Sequence, residues 1–236
     1  MAKTRWVARE FLSPSCGAMT HTVACIIIAS AKRRDKVREI IVASALTQAP
    51  AFAEIVVVGD WPADPIEYPP GVRYLCVAPL LGTTTDALVK RDAGTVATTA
   101  DTLVYVCDDH ALGPHFARDL NVVLAEPWDV LVPNRYTEVT TFPSYVSPDG
   151  KTRSEDGGGW LRVPLNNGEA HAYCGGHAGV FRRALIARLP WTAGPHDRLW
   201  DVTMSRAQQA LGATFRYYPR LGIAVRDLEP EQRPWE

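Results

Sequence analysis

Two adjacent aspartates that directly follow an apolar run are the residues of this sequence best suited to chemistry. Thr102–Cys107 (TLVYVC) has the composition of a buried strand, and Asp108, Asp109 and His110 come at once behind it. Neighbouring carboxylates repel each other unless a positive charge lies beside them. Mg²⁺ or Mn²⁺ would supply that charge, since both bind oxygen ligands. The pair therefore predicts a site with Asp109 and Asp108 as metal ligands; the alternative is that they only cap the next turn.

Polar and charged residues also follow two other apolar runs. A basic cluster (AKRRDK) follows the first run and could contact a diphosphate, and an acid follows the second and could bond a base or ribose. Ligands of parallel α/β sheets bind beyond the carboxyl ends of the strands, where these groups would lie. A solvated helix start and an ordinary turn acid are the alternatives. The ligand-binding residues predicted at these ends are Ala29, Ser30, Lys32, Arg33 and Asp60.

The elements that must position these residues alternate between apolar strands and amphipathic helices. This order predicts an α/β fold with a mostly parallel central sheet and helices on both faces. The predicted strands are Val23–Ala29, Glu54–Gly59, Val72–Ala78, Thr102–Cys107 and Asp129–Val132, and the predicted helices are Lys36–Ala49, Thr83–Ala100 and a segment from Pro114.

The alternation breaks after Pro133. Residues 134–176 carry short β-like pieces around a polar, glycine-rich stretch and no predicted helix. Loops of this length are usually disordered or functional, often as lids or acceptor-binding loops. Helices are predicted again at Phe181–Arg188 and Leu199–Leu211, and closing strands at Arg216–Pro219 and Ile223–Val225.

Composition bounds the class of protein. The chain has 236 residues, 47% hydrophobic and 22% charged, which predicts one folded domain rather than disorder. A formal net charge of −1 gives no general attraction to polyanions. The five scattered cysteines predict reduced thiols and a cytoplasmic protein. The longest early apolar run, Val23–Ala29, is far shorter than the roughly 20 residues of a membrane span, so none is expected.

Several segments, in order, resemble the inverting glycosyltransferases of family 2, which have the GT-A fold. The first strand and basic turn (CIIIASAKRRDKV) and the acid in VVVGDW match the family's opening segments. Lys90–Gly94 (KRDAG) lies before VYVCDDH as the family's Ala-Arg-Asn-x-Gly helix lies before its Asp-x-Asp motif. YCGGHAGVFRRALIARLP resembles the acceptor-side strand and helix, and WDVTMSRAQQALGATFRYYP resembles the segment carrying the base, with Trp200 in place of the expected preceding acid.

The resemblance implies a metal-dependent transfer of a sugar from a nucleotide-diphosphate donor, commonly a UDP-sugar, to an acceptor hydroxyl with inversion. Asp201 is the implied general base, Asp109 holds Mn²⁺ or Mg²⁺, and Arg91 and Asp108 join the donor-binding residues. A plain helix cap is the alternative for Asp201. The implied organisation is an N-terminal arm (1–21) and one GT-A-like domain (22–236). Its nucleotide-binding half is 22–133, and its acceptor-binding and catalytic half, with a small β/loop region, is 134–236.

Other functions stay open on the sequence. A nucleotidyltransferase shares a similar core, but ASAKRRDK lacks the glycine-rich loop typical of that class. A non-catalytic nucleotide-sugar-binding module is a second alternative. The acceptor could be a saccharide, a small molecule, a protein or a modified DNA base. HAYCGGH suggests zinc, but no second Cys or His pair completes four ligands, and His110, His177 or His196 could instead join the metal or acceptor site.

Overall fold

An eight-stranded sheet forms the centre of the protein. The computed structural model describes residues 21–62, 68–78, 83–136, 164–165, 169–170, 178–193 and 200–225. The strands within these ranges are β1 (Val23–Ile28), β2 (Glu54–Gly59), β3 (Val72–Cys76), β4 (Thr102–Cys107), β5 (His110–Leu112), β6 (Val130–Tyr136), β7 (Pro164–Leu165), β8 (Glu169–Ala170), β9 (Ala178–Arg182) and β10 (Phe215–Val225). The sheet order is β3-β2-β1-β4-β9-β6-β10-β5, and β7 and β8 form a separate pair.

The first half of the sheet is parallel, as the alternating pattern predicts. β1 lies between β2 and β4 and pairs in parallel with both, and β2 pairs in parallel with β3. Ile28, at the end of β1, is in register with Val58 and with Cys107. The residues that follow these three strands therefore meet at one edge of the sheet.

The second half of the sheet is mixed and curls back to that edge. β9 runs antiparallel to β4 and β6, β10 runs parallel to β6, and β5 runs antiparallel to β10. The β6–β10 register shifts between Tyr218 and Gly222. Three Cα steps separate Cys107 from His110, so the two lie within about 11 Å. The end of β10, which pairs with β5, therefore reaches the turn between β4 and β5.

Helices cover both faces of the sheet. The first helical segment, residues 31–46, combines a 3₁₀ turn, a short α-helix, a π-helical stretch and a further α-helix. Its parts and the remaining helices are Ala31–Arg33 (3₁₀), α1 (Arg34–Lys36), Val37–Val42 (π), α2 (Ala43–Leu46), α3 (Thr83–Ala97), α4 (Phe116–Val123), α5 (Arg183–Arg188), Trp191–Ala193 (3₁₀) and α6 (Trp200–Ala210).

The core divides into two clusters because successive strand residues point to opposite faces. On one face, Ile27 and Val104 pack with the first helical segment and with Phe116 of α4. On the other face, Ile26 and Tyr105 pack with residues of α3, α5 and α6. The continuous apolar runs of β1, β2 and β4 follow from this double burial.

Some predicted elements were wrong in extent. The helix predicted from Phe181 begins at Arg183, because Ala178–Arg182 is strand β9 and buries Phe181 in the sheet. The two predicted closing strands are one strand, β10. The short strand β5 was not predicted. The predicted arm, apart from His21, and most of the predicted β/loop region lie outside the described residues.

Gly94 lets α3 approach the sheet closely. A Cβ at this position would collide with Cγ2 of Ile26 in β1 and lie 3.2 Å from Cγ2 of Val58 in β2. Both neighbours are buried side chains of central strands, so neither can move aside freely.

We expect Gly94→Ala to destabilise the protein by about 1–3 kcal/mol, because overpacking against the two strands outweighs the gain in helix propensity. Urea unfolding followed by circular dichroism measures this change. Val96→Ala in the same helix is the control, since Val96 is 85% exposed and its replacement should alter the free energy of unfolding by less than about 0.5 kcal/mol. Equal stability of the Gly94→Ala variant and the unaltered protein would contradict the close approach.

Candidate functional site

Asp108 is held by Ser30 across the edge of the sheet. Its Oδ2 accepts hydrogen bonds from the Ser30 backbone N–H (2.8 Å) and from the Ser30 Oγ (2.6 Å). The pairing of β1 with β4 brings the two residues together, since each follows the end of its strand. The sequence-predicted residues Ser30 and Asp108 therefore form one unit.

Arg33 supplies positive charge beside both aspartates. Its Nη1 lies 3.8 Å from Asp108 Oδ1 and 4.0 Å from Asp109 Oδ2. Each of the three side chains keeps about a fifth or less of its surface exposed. The repulsion between the adjacent carboxylates, from which a cation was predicted, is thus reduced by a side chain of the protein itself.

Asp109 also forms a hydrogen bond with the residue that follows it, His110. The His110 Nδ1 and the Asp109 Oδ1 form a hydrogen bond, and the imidazole is fully buried. His110 is the first residue of β5, so the sheet fixes the backbone on that side of the aspartate. The sequence marked His110 as a possible metal or acceptor residue; the structure places it against Asp109.

Asp60 forms a second unit at the same edge. Its Oδ1 accepts a hydrogen bond from the Ala31 backbone N–H (2.7 Å), and its Oδ2 accepts one from Lys90 Nζ (2.9 Å). Lys90 Nζ also donates to the Ala29 carbonyl (2.7 Å). Ala29 itself is buried, so its backbone rather than its side chain belongs to the site. Lys90 was not predicted as a site residue, although its place in KRDAG was a signal.

Arg91 lies behind the acids rather than on the surface of the site. It is 2% exposed, and its guanidinium carbon lies 5.0 Å from the ring centre of Tyr105 and 4.8 Å from that of Trp191. Its Nη2 lies 3.8 Å from Cys107 Sγ. Burial raises the pKa of the Cys107 thiol to about 12, against the lowering effect of Arg91. Direct ligand binding by Arg91 remains a prediction, and the observed contacts give it a packing role.

The next residue of the same segment anchors the chain ahead of α6. The Asp92 carboxylate accepts hydrogen bonds from the backbone N–H groups of Trp191 (2.8 Å) and Thr192 (2.9 Å) and from Thr192 Oγ1 (2.6 Å). Trp191 and Met204 of α6 belong to the same core cluster. α3 therefore connects the acid edge with the region from which α6 starts.

Asp201, the predicted base, lies in the first turn of α6 and is partly exposed. The N-terminal turn of a helix favours an ionised carboxylate, because the unpaired N–H groups carry partial positive charge. His177 and His196 lie outside the described residues. The role of Asp201 as a base remains a prediction.

A basic cleft of about 310 Å³ opens beside the acids. It is lined by the consecutive residues Ala31, Lys32, Arg33, Arg34, Asp35 and Lys36. Four of these six side chains are cationic, and Lys32 is exposed. Its size and charge suit a phosphate-bearing ligand.

The acid pair fits a metal ion only in combination with a ligand. No group of three or more His, Cys, Asp or Glu side chains in the described part of the chain could hold an ion. Asp108 Oδ2 is engaged by Ser30, whereas Asp109 Oδ2 lies towards Arg33. Mg²⁺ is commonly held by one or two carboxylates together with substrate phosphates. Asp109, with Asp108 beside it, fits that arrangement.

Comparison with known proteins identifies the fold. No protein-family model matches the chain, and no curated protein matches it. Residues 1–349 of TarS from S. aureus are similar in structure, with 13% identity and a TM-score of 0.54 over 87% of this chain and 60% of that one. A structure of the same TarS region in complex with UDP gives 14% identity and a TM-score of 0.56, over 89% and 62%. The chain thus spans about three fifths of the TarS chains, and its fold is GT-A-like.

None of the described helices is both long enough and apolar enough to cross a membrane.

We expect Lys90→Met to destabilise the protein by about 2–4 kcal/mol, because Asp60 and the Ala29 carbonyl lose their buried cationic donor. Lys32→Met is the matched control, since Lys32 is exposed at the same edge and its loss should change stability by less than about 0.5 kcal/mol. Guanidinium unfolding of both variants measures the difference. Similar stabilities for the two would show that the Lys90–Asp60 pair is not a structural contact.

Proposed function

We propose that the chain is a glycosyltransferase that moves a sugar from a nucleoside diphosphate donor, a UDP-sugar, to an acceptor hydroxyl with inversion. The observation that carries the proposal is the convergence of Asp60, Asp108 and Asp109 beside a basic cleft, at the carboxyl edge of a GT-A-like sheet. TarS, similar in fold at low identity, was crystallised with UDP, which supports a uridine nucleotide as donor.

In this proposal the basic cleft receives the diphosphate. Lys32 and Arg33 contact its oxygens, and Arg33 exchanges part of its interaction with the two aspartates for the ligand's negative charge. Asp60, oriented by the Ala31 N–H and by Lys90, accepts hydrogen bonds from the base or the ribose. Ser30 keeps Asp108 in place beneath the diphosphate.

Mg²⁺ or Mn²⁺, held by Asp109 and Asp108 together with the diphosphate, would stabilise the negative charge that develops on the leaving group. Asp109 would hold the ion through the oxygen turned towards Arg33, and Ser30 restrains Asp108. Arg33 adds positive charge at the same place without any ion.

Asp201 acts as the general base. The acceptor oxygen forms a bond to the anomeric carbon while the bond from that carbon to the phosphate oxygen breaks, and UDP leaves with the bonding electrons. The acceptor's proton passes to the Asp201 carboxylate. The position of Asp201 in the first turn of α6 supports this role, because the helix end favours the ionised form that can take a proton.

Donor binding is tested by thermal unfolding with UDP, with and without Mn²⁺. At a concentration of about 100 Kd we expect the midpoint to rise by about 5–10 °C. Asp109→Ala should lose the part of the rise that depends on Mn²⁺, because it removes the ion's carboxylate. Glu39→Ala, which removes an exposed acid of the same helical segment that does not line the cleft, is the control and should keep that part. No shift with UDP or with other nucleotides would overturn the proposed donor.

The base is tested by Asp201→Asn. We expect release of UDP from the preferred UDP-sugar to slow by about 10²–10⁴-fold, because no general base is left to accept the proton of the acceptor hydroxyl. The thermal shift with UDP should be unchanged. Asp119→Asn is the matched control, since Asp119 is an acid in the first turn of another helix, α4. This variant should release UDP at the same rate as the unaltered protein.

Undiminished turnover by the Asp201→Asn variant would rule out Asp201 as the base while leaving the donor assignment intact. Release of pyrophosphate instead of UDP from a nucleotide substrate would indicate nucleotidyl transfer. Chromatography of the reaction products distinguishes the two.

A further inference from the structure

The turn that carries Asp108 and Asp109 is fixed at both of its ends. β4 ends at Cys107 in the centre of the sheet, and β5 begins at His110. His110 is in register with Val225 of β10. Just after β5, the Gly113 N–H donates to the Gly222 carbonyl at 2.8 Å. The backbone of the two aspartates therefore has little freedom.

The two side chains of the turn are held in different ways. Asp108 accepts two hydrogen bonds from Ser30, a residue of another strand end. Asp109 is bonded at Oδ1 by the imidazole of the residue that follows it. An ionised carboxylate can only accept, so the proton of this bond belongs to His110 Nδ1. The imidazole cannot easily adopt another orientation, because it is fully buried and its strand is paired with β10.

We propose that His110 is a positioning residue that fixes the Asp109 carboxylate in one orientation, with Oδ1 engaged and Oδ2 presented to the donor side. The inference rests on the proposed function, since it assigns Asp109 a role in metal-dependent donor binding. The Oδ2 atom lies on the side of Arg33, 4.0 Å from its Nη1, which is also the side of the basic cleft. A carboxylate held in one orientation loses little conformational freedom when a ligand arrives, and partners of this kind are commonly worth about 10–100-fold in metal affinity.

Three substitutions at His110 separate positioning from simple packing. His110→Asn keeps an N–H close to the position of Nδ1. His110→Leu fills the space without a donor, and His110→Gln keeps polarity but carries its amide beyond the place of Nδ1. His115→Leu is the matched control, because His115 is exposed at the start of α4. Thermal unfolding without ligand first shows which variants fold.

Calorimetric titration with UDP, with and without Mn²⁺, then measures the effect of the ion on nucleotide affinity. We expect the Leu and Gln variants to lose about 10–100-fold in UDP affinity with Mn²⁺ present, and the Asn variant to stay within about threefold of the unaltered protein. UDP affinity without Mn²⁺ should be equal in all of them, since the proposed effect of His110 on donor binding passes through the Asp109 carboxylate that would hold the ion. A general packing defect would lower the affinity in both conditions.

The outcomes distinguish this inference from the proposed function. If the unaltered protein binds UDP more tightly with Mn²⁺ and the folded Leu or Gln variant gains equally, the positioning role is overturned and the proposed function stands. A loss in the Asn variant as large as in the Leu variant also overturns it. If Mn²⁺ gives the unaltered protein no gain in UDP affinity, the metal-dependent function fails and the inference with it. Should the Leu variant not fold, the Gln variant decides.

Discussion

Three carboxylates gathered at one edge of a sheet set the main physical constraint on this protein. Asp60, Asp108 and Asp109 come together because β1 pairs in parallel with both β2 and β4. Acids so placed raise the free energy of the folded state unless cations or N–H donors face them. Lys90 faces Asp60, and Arg33 faces the other two. The proposed binding of a negatively charged ligand is compatible with this edge because its own acids are already largely balanced.

α3 connects this edge with much of the protein. Within one short segment, Lys90 reaches Asp60 and the end of β1, Arg91 packs on Tyr105 and Trp191, and Asp92 binds the turn at Trp191. Gly94 allows the helix to lie close enough to the sheet for these contacts. Successive residues of the helix point in different directions, so neighbouring residues of this segment contact different elements. These contacts explain why the segment has these residue types. A direct contact with a ligand is not needed to explain each residue.

The sequence predicted the parallel half of the fold well. The runs of β1, β2 and β4 are apolar because both of their faces are buried, and such runs can be recognised without a structure. That Ser30, Asp60 and Asp108 would share an edge followed from the same pattern. β5 could not be predicted, because three residues carry no periodicity and their pairing partner lies far along the chain. Phe181 and Arg182, the last two residues of β9, were mistaken for the start of a helix because an apolar strand and a buried helical turn look alike over a few residues.

The side-chain contacts of the site were harder to predict than the strands, because they depend on the direction in which each side chain points. The predicted ligand-binding role of Arg91 stays a prediction; the structure shows that the helical phase of α3 turns its side chain into the core. The contact of Arg33 with both aspartates could not be predicted from the sequence, because it joins a residue that follows β1 to residues that follow β4. His110 next to Asp109 was visible in the sequence, yet the direction of its ring depends on β5.

The pairing of β5 with β10 has a consequence for the order of folding. β1, β2 and β4 lie early in the chain and can pair soon after synthesis, whereas β5 finds its partner only when the strand ending at Val225 has been made. Contacts between residues so distant along the chain form slowly, because a long loop must close first. The acid turn therefore reaches its final conformation among the last parts of the molecule. A chain still in synthesis would contain most of the sheet but no finished acid turn.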